Sequence, residues 1–291
     1  MGVDVSFSKM NGLGNKIIVA DMRGRKDKIS SQAAIALDAV EETSFDQIME
    51  VRDADNPAID AILRIINSDG SEAEACGNGT RCVVSWFVKK DARDKYLFKT
   101  LAGLLNASVV GEMVSVDMGM PSFGWQDIPL SEEFSDTTGI ELQIGPIDEP
   151  VLHTPSVVNL GNPHCTFWVD DDVYSYDLER FGPLLENHPI FPERANITLA
   201  RVCARDHLDV RTWERGAGLT LASGSSSCAA MVNGVRKDFI ERKSKVSVPG
   251  GEMFIEWRED NHVIVTGPTE FEFDGYLDAA TGESRVEVEV L

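Results

Sequence analysis

Residues 219–230 read "LTLASGSSSCAA" and residues 73–84 read "AEACGNGTRCVV". The two stretches are versions of one loop: small and polar residues lead into an apolar run, and Cys76 in the first stands where Ser223 stands in the second. The spacing between them is 147 residues, and it recurs. Asn15 in "LGNKIIVAD" (13–21) and Asn162 in "LGNPHCTFWVD" (160–170) are 147 apart, as are "LRIIN" (63–67) and "VRTWE" (210–214), which superpose Arg64 on Arg211. "MGMP", ending at Pro121, and "VTGP", ending at Pro268, keep the same offset. Four landmarks in order at one spacing close to half the chain predict two copies of one unit of roughly 120 residues. Each copy has the same plan: an apolar strand after the LGN turn, an alternating strand, a nine-residue loop (67–75 and 214–222), then a helix opening on Gly and polar residues.

The predicted helices are 77–90, with Val83, Val84, Phe87 and Val88 facing inward, and 224–237, with Ala229, Ala230, Met231 and Val235 facing inward. Lys89 and Lys90, like Arg236 and Lys237, suit the negative end of a helix dipole. The fold class read from this plan is α/β (α+β). Two pseudo-symmetric domains are expected at 1–130 and 131–291. Residues 122–150, acidic and rich in Pro, Gly, Ser and Asp, read as the linker. The C-terminal "GYLDAATGESRVEVEVL" reads as a late strand crossing back to the first half or as a tail.

A formal net charge of −21 over 291 residues argues against nucleic acid or an anionic membrane as partner, since both require a basic footprint. No apolar run approaches a membrane span and the first residues lack the pattern of a secretory signal, so a cytoplasmic protein is expected. Five scattered cysteines fit free thiols. Without a CxxC pair, no metal site is expected. Cys82 and Cys228 lie in apolar helical runs and Cys165 and Cys203 in strands, so all four read as core.

Cys76 differs, because it precedes the polar "GNGTR" at a helix start. Unpaired amides and the positive end of the dipole gather there, so a carboxylate can bind and a thiol loses its proton more readily. Two such helices aimed at one ligand would bracket a carboxylate with an acid/base group on either side, the arrangement that inverts a stereocentre. His164, in the loop equivalent to the first LGN turn, and the pair Glu214–Arg215, at the strand end equivalent to Asn67, read as further site residues.

Together "FSKMNGLGN", "NSDGSEAEACGNGTRC", "GNPHC", "FPERANI" and "ERGAGLTLASGSSSCAA", in this order from residue 7 onward, resemble diaminopimelate epimerase. The resemblance implies two domains, each a mixed sheet or barrel wrapped on a central helix, with the active site in the cleft between them. It implies a cofactor-independent amino-acid epimerase that interconverts LL- and meso-diaminopimelate for lysine and peptidoglycan synthesis; a homodimer is one open arrangement. It makes Cys76 one catalytic acid/base and position 223 the other. It assigns Gly77, Asn78, Gly224 and Ser225 to the reacting carboxylate, and His164 and Glu214 to the reacting amino group. Asn15, Asn67, Asn196 and Arg215 go to the distal end of the substrate, with Gln47 and Asn162 as further binding residues. Asn11 stands where the family often has His. Ser223 stands where it has its second cysteine, and a hydroxyl gives up its proton far less readily than a thiol, so the resemblance implies an impaired or inactivated site. An introduced substitution and a natural divergence both account for this serine. Same-fold amino-acid racemases, hydroxyproline-type dehydratases and a non-catalytic amino-acid-binding protein are the alternatives.

Overall fold

The computed structural model describes residues 4–74 and 76–287. They fall into two compact units, residues 1–116 with 266–291, and residues 117–265. In chain order the first strands and helices are β1 (Val5–Gly12), β2 (Asn15–Asp21), α1 (Ser31–Asp38), β3 (Gln47–Arg52), β4 (Ala61–Asn67), β5 (Glu72–Ala73), α2 (Gly77–Asp91), β6 (Lys95–Thr100), β7 (Gly103–Val110) and β8 (Met113–Asp117). Then follow β9 (Gln143–Ile144), β10 (Leu152–His153), β11 (Ser156–Asn159), β12 (Pro163–Trp168), α3 (Leu178–Glu186), β13 (Asn196–Ala204), β14 (His207–Glu214) and β15 (Gly218–Thr220). The chain ends with α4 (Gly224–Arg236), β16 (Lys243–Val248), β17 (Gly251–Trp257), β18 (Val263–Gly267), β19 (Glu270–Leu277) and β20 (Ser284–Val286).

The duplication is visible strand by strand. In the first unit β1 pairs antiparallel with β2, β2 parallel with β3, β3 antiparallel with β4, β4 antiparallel with the short β5, β4 parallel with β6, and β6 antiparallel with β7. In the second unit the same sequence of pairings runs through β11, β12, β13, β14, β15, β16 and β17. Parallel neighbours need a crossover connection. Here α1 and α3 serve the first parallel pair of each unit, and α2 and α4 the second. In the first unit α2 touches β1, β2, β3 and β7, strands far apart in the pairing order, so the sheet curls around it. Helix α4 likewise meets β11 to β14, β16 and β17. Val83, Val84 and Phe87 of α2 and Ala229, Ala230 and Met231 of α4 are buried as their spacing requires, while Val88 and Val235 lie at the helix margins.

Three expectations are corrected. The unit boundary falls at 116–117 and not at 130, because β8 completes the first sheet, while β19 returns to pair with β1. Residues 122–150 are no linker. Ile128, Leu130, Ile140 and Leu142 belong to the second unit's core together with Phe167, Leu178 and Ile197. Cys203 is exposed, whereas Cys82, Cys165 and Cys228 are buried. The tail forms β20 against β19, and residues 288–291 lie outside the described residues.

Candidate active site

Each unit brings several of the expected site residues to the start of its central helix. In the first unit Cys76 is the N-cap of α2, with extended backbone at φ −148° and ψ 108°. Its Sγ accepts a hydrogen bond from Gly79 N at 3.1 Å. A side chain at 79 would collide with Met49, since a Cβ there would lie 2.4 Å from Met49 Sδ and 3.1 Å from Cys76 Sγ. Glycine is therefore what lets the thiol close on its own helix. Gly77 and Asn78 form the first turn, and Asn78 is buried. The β1–β2 turn packs against that turn: a Cβ on Gly12 would stand 3.3 Å from Asn78 Cβ. Leu13 and Gly14 both have positive φ, 61° and 86°, the geometry of a tight hairpin turn. Asn11, at the family's frequent His position, accepts from Gly14 N at 2.6 Å and so holds the turn.

Asn15 opens β2, and its Oδ1 is buried with no hydrogen-bond partner among the described residues. Gln47 and Asn67 face each other across β3 and β4, with Gln47 Nε2 donating to Asn67 Oδ1 at 3.0 Å. Asn67 Nδ2 donates in turn to Ser71 Oγ at 3.0 Å, a contact the sequence reading missed.

In the second unit Ser223 caps α4 at φ −121° and ψ 112°, nearly the conformation of Cys76. Its Oγ accepts from Ser226 N at 3.4 Å and donates to Glu214 Oε2 at 2.8 Å. Ser226, two residues past Gly224 and equivalent to Gly79 by the 147-residue offset, adds a hydroxyl of its own. Its Oγ lies 3.0 Å from Ser223 Oγ and 3.4 Å from His164 Nδ1. His164 Nε2 lies 2.7 Å from Asn162 Oδ1. A carboxamide oxygen only accepts, so the ring proton sits on Nε2, and Nδ1 takes the Ser226 hydroxyl. Burial, helped by the charge of Arg215, pushes the His164 imidazolium down to about 3, so the ring is neutral. Glu214, Ser223, Ser226, His164 and Asn162 thus form one hydrogen-bonded chain, in which the Ser226 backbone N–H, not its hydroxyl, makes the link to Ser223.

Asn196 and Arg215 form a second group in this unit. Asn196 Oδ1 accepts from Arg215 N at 2.9 Å, and Arg215 Nη1 donates to Glu193 O at 3.0 Å. The loop that carries them is pinned by Glu186 of α3, which accepts from Gly216 N at 2.9 Å and from Trp213 Nε1 at 2.7 Å. Ser225 follows Gly224 in the first turn of α4. Neither Glu186 nor Ser226 was expected at the site. The offset alone would have exposed Ser226, because it replaces the glycine of the other copy.

Each unit thus has polar or small residues in the first turn of its central helix, at 77–78 in the first and 224–225 in the second, with a thiol at one cap and a hydroxyl at the other. Among the described residues no helix is long and apolar enough to cross a membrane.

The sequence matches the family model described as diaminopimelate epimerase over residues 7–124 and 156–272. It is 62% identical over 284 residues to a diaminopimelate epimerase of Rhizobium meliloti (strain 1021), spanning 97% of this chain and 94% of that one. It is 59% identical to one of Brucella anthropi, spanning 97% and 95%. Among solved structures, a phenazine biosynthesis protein of the PhzF family from Enterococcus faecalis has the same fold, with a TM-score of 0.66 at 14% identity over 94% of this chain and 99% of that one. A chain of two duplicated units, each with a capped central helix and matched to this family along nearly its whole length, belongs to the diaminopimelate epimerase family, a family of isomerases.

Proposed function

We propose that this chain interconverts LL- and meso-diaminopimelate by moving a proton on and off one α-carbon, with Cys76 serving one face and Ser223 the other. The observation that carries the reading is the pair of equivalent caps: one thiol and one hydroxyl, each the N-cap of a duplicated helix. The reacting carboxylate binds at Gly77, Asn78, Gly224 and Ser225, where the helix dipoles stabilise the charge that develops as the proton leaves. His164, neutral, and Glu214 hold the reacting amino group. Asn15, Gln47, Asn67, Asn162, Asn196 and Arg215 grip the second amino-acid end. The buried Asn15 Oδ1 supports a ligand on that side, since a lone buried acceptor costs free energy until something donates to it. No cofactor takes part in this reading, which carries with it a cytoplasmic homodimer.

The chemistry is lopsided. A thiol loses its proton near pH 8.5, whereas a serine hydroxyl holds its own far above neutrality, and a helix dipole shifts such equilibria too little to close the gap. Removal of the α-proton is therefore efficient on the Cys76 face and slow on the Ser223 face, and inversion, which needs both, is impaired. Incubating LL- and meso-diaminopimelate with the protein in deuterated water and following each α-signal by NMR tests this. Deuterium should enter at the centre whose α-hydrogen meets Cys76, well ahead of any inversion. Equal exchange at L- and D-configured centres would overturn the one-sided site. Absence of exchange with bound substrate would overturn the epimerase reading itself.

A further inference from the structure

The hairpin joining β13 to β14 holds a cluster of side chains that no step of the epimerase reading uses. Arg201 pairs with Asp209 and Val202 with Leu208, but Ala204 then pairs with His207, so Cys203 is the extra residue of a β-bulge. The strand pairing and the bulge together bring Arg201, Cys203, His207 and Asp209 to one face. From each of Cys203, His207 and Asp209, one ligand-type atom lies within 4.8 Å of the other two. His207 Nε2 is 3.5 Å from Asp209 Oδ1. The same nitrogen lies 2.9 Å from Ser247 Oγ on the neighbouring β16, a contact that a bound ion would replace. Arg201 Nη2 reaches Asp209 Oδ2 at 2.8 Å and Cys203 Sγ at 3.7 Å. Lys245, in register with His207 on β16, is paired with Glu252 at 2.7 Å.

We propose that Cys203, His207 and Asp209 form a binding site for a zinc-type divalent cation on this hairpin. Sulfur, imidazole nitrogen and carboxylate oxygen are the donor types such ions take. Donor atoms about 2.0–2.3 Å from a tetrahedral ion stand about 3.4–3.8 Å apart. The His207–Asp209 distance is already of that size, and the remaining contraction of about 1 Å falls to Cys203, an exposed side chain on a bulge. The guanidinium of Arg201 holds the position of positive charge beside Asp209, and the ion would displace it. On binding, the sulfur–hydrogen bond breaks, a sulfur–metal bond forms and the proton goes to solvent. Three protein ligands leave the fourth position to water.

Cobalt(II) titration of the full chain tests the site by the thiolate-to-metal absorption that only a sulfur-bound ion gives. The Cys76→Ala chain removes the other accessible thiol from the reading. One saturable absorption should appear in it and vanish on adding Cys203→Ser. His207→Ala should weaken binding by more than the roughly 10- to 100-fold that losing an outer partner costs. Arg201→Gln should tighten it by removing the competing cation. Absorption that survives Cys203→Ser, that never appears, or that weakens in Arg201→Gln would overturn the proposal. Far-ultraviolet circular dichroism confirms that each variant is folded.

Discussion

The two capped helix starts share a frame and differ in what fills it. Both caps sit in extended backbone one residue before a helix, and both accept from the amide three residues on. In the first, the amide belongs to Gly79 and the space beside it is taken by Met49. In the second, it belongs to Ser226, whose backbone N–H goes to Ser223 and whose hydroxyl goes to His164. Position 17 in the first unit, an isoleucine in register with Gln47, corresponds to His164 in register with Asn196. One copy thus sets Met49 and a glycine beside its thiol, while the other sets Glu214 and Ser226 beside its hydroxyl. The serine at 223 belongs to a wider set of changes in its copy, which extends to Ser226 and His164.

The largest expected effect breaks the comparison at its chemical end. Cys76→Ala should lower α-hydrogen exchange by roughly 10²–10⁴-fold, the range of a lost general acid or base. Ser223→Ala should lower it much less, because the hydroxyl contributes little on its face. Equal losses would show the halves to be chemically equivalent. The converse change, Ser223→Cys, should raise epimerisation by about 10²-fold or more, measured by chiral chromatography of diaminopimelate. A folded, substrate-binding variant with no gain would remove position 223 from the reaction.

The sequence displays this comparison well in some places and poorly in others. The 147-residue offset survives in the structure because the landmarks lie in elements fixed by local pattern: alternating residues in β4 and β14, and glycine-led starts at α2 and α4. The span 122–150 hid its nature because Ile128, Leu130, Ile140 and Leu142 are isolated among acidic and turn residues. They contribute to a core without forming a periodic element. The return of 266–287, which the sequence offers only as one of two alternatives, rests on β19 pairing with β1, a contact between distant parts of the chain. Cys203 looked like core because it lies in a strand, and the bulge that turns it outward leaves no mark in the sequence.

Packing gives the next effect. Gly79→Ala should cost about 1–3 kcal/mol in thermal or urea unfolding, since Met49 and the Cys76 thiol must yield. Ser226→Gly, which gives the second unit the first unit's residue, should cost less. The reverse ranking would mean that the glycine is a spectator and the serine chain the tighter fit.

Acid should then separate the units. His164 titrates near 6.5 when unfolded and about 3 when folded, so below pH 6.5 the unfolded chain binds the extra proton and folding stability falls as pH drops. The loss should reach about 2 kcal/mol by pH 5, against none from Ile17 at the equivalent position. Urea unfolding at pH 7 and pH 5 measures it. His164→Gln should flatten that dependence, and an unchanged slope would place the acid sensitivity elsewhere.

The smallest effect concerns the cap itself. Serine is among the best N-cap residues and alanine among the poor ones, and the exchange typically costs about 1 kcal/mol. Ser223→Ala removes the acceptor for Ser226 N and the donor to Glu214 Oε2 together, so its cost should lie at about 1–2 kcal/mol. Ser223→Cys keeps a group that can accept, as Cys76 does from Gly79, but the larger sulfur must fit beside Ser226 where the first unit has glycine. Its stability should therefore fall between those of the native chain and Ser223→Ala, even as its activity rises. Adding Ser226→Gly to Ser223→Cys should recover part of that stability by reproducing the first unit's pairing of thiol and glycine. Melting temperatures of the four proteins decide the matter. If the double variant melts below Ser223→Cys, the frames around the two caps are not interchangeable, and the equivalence of the two helix starts stops at the backbone.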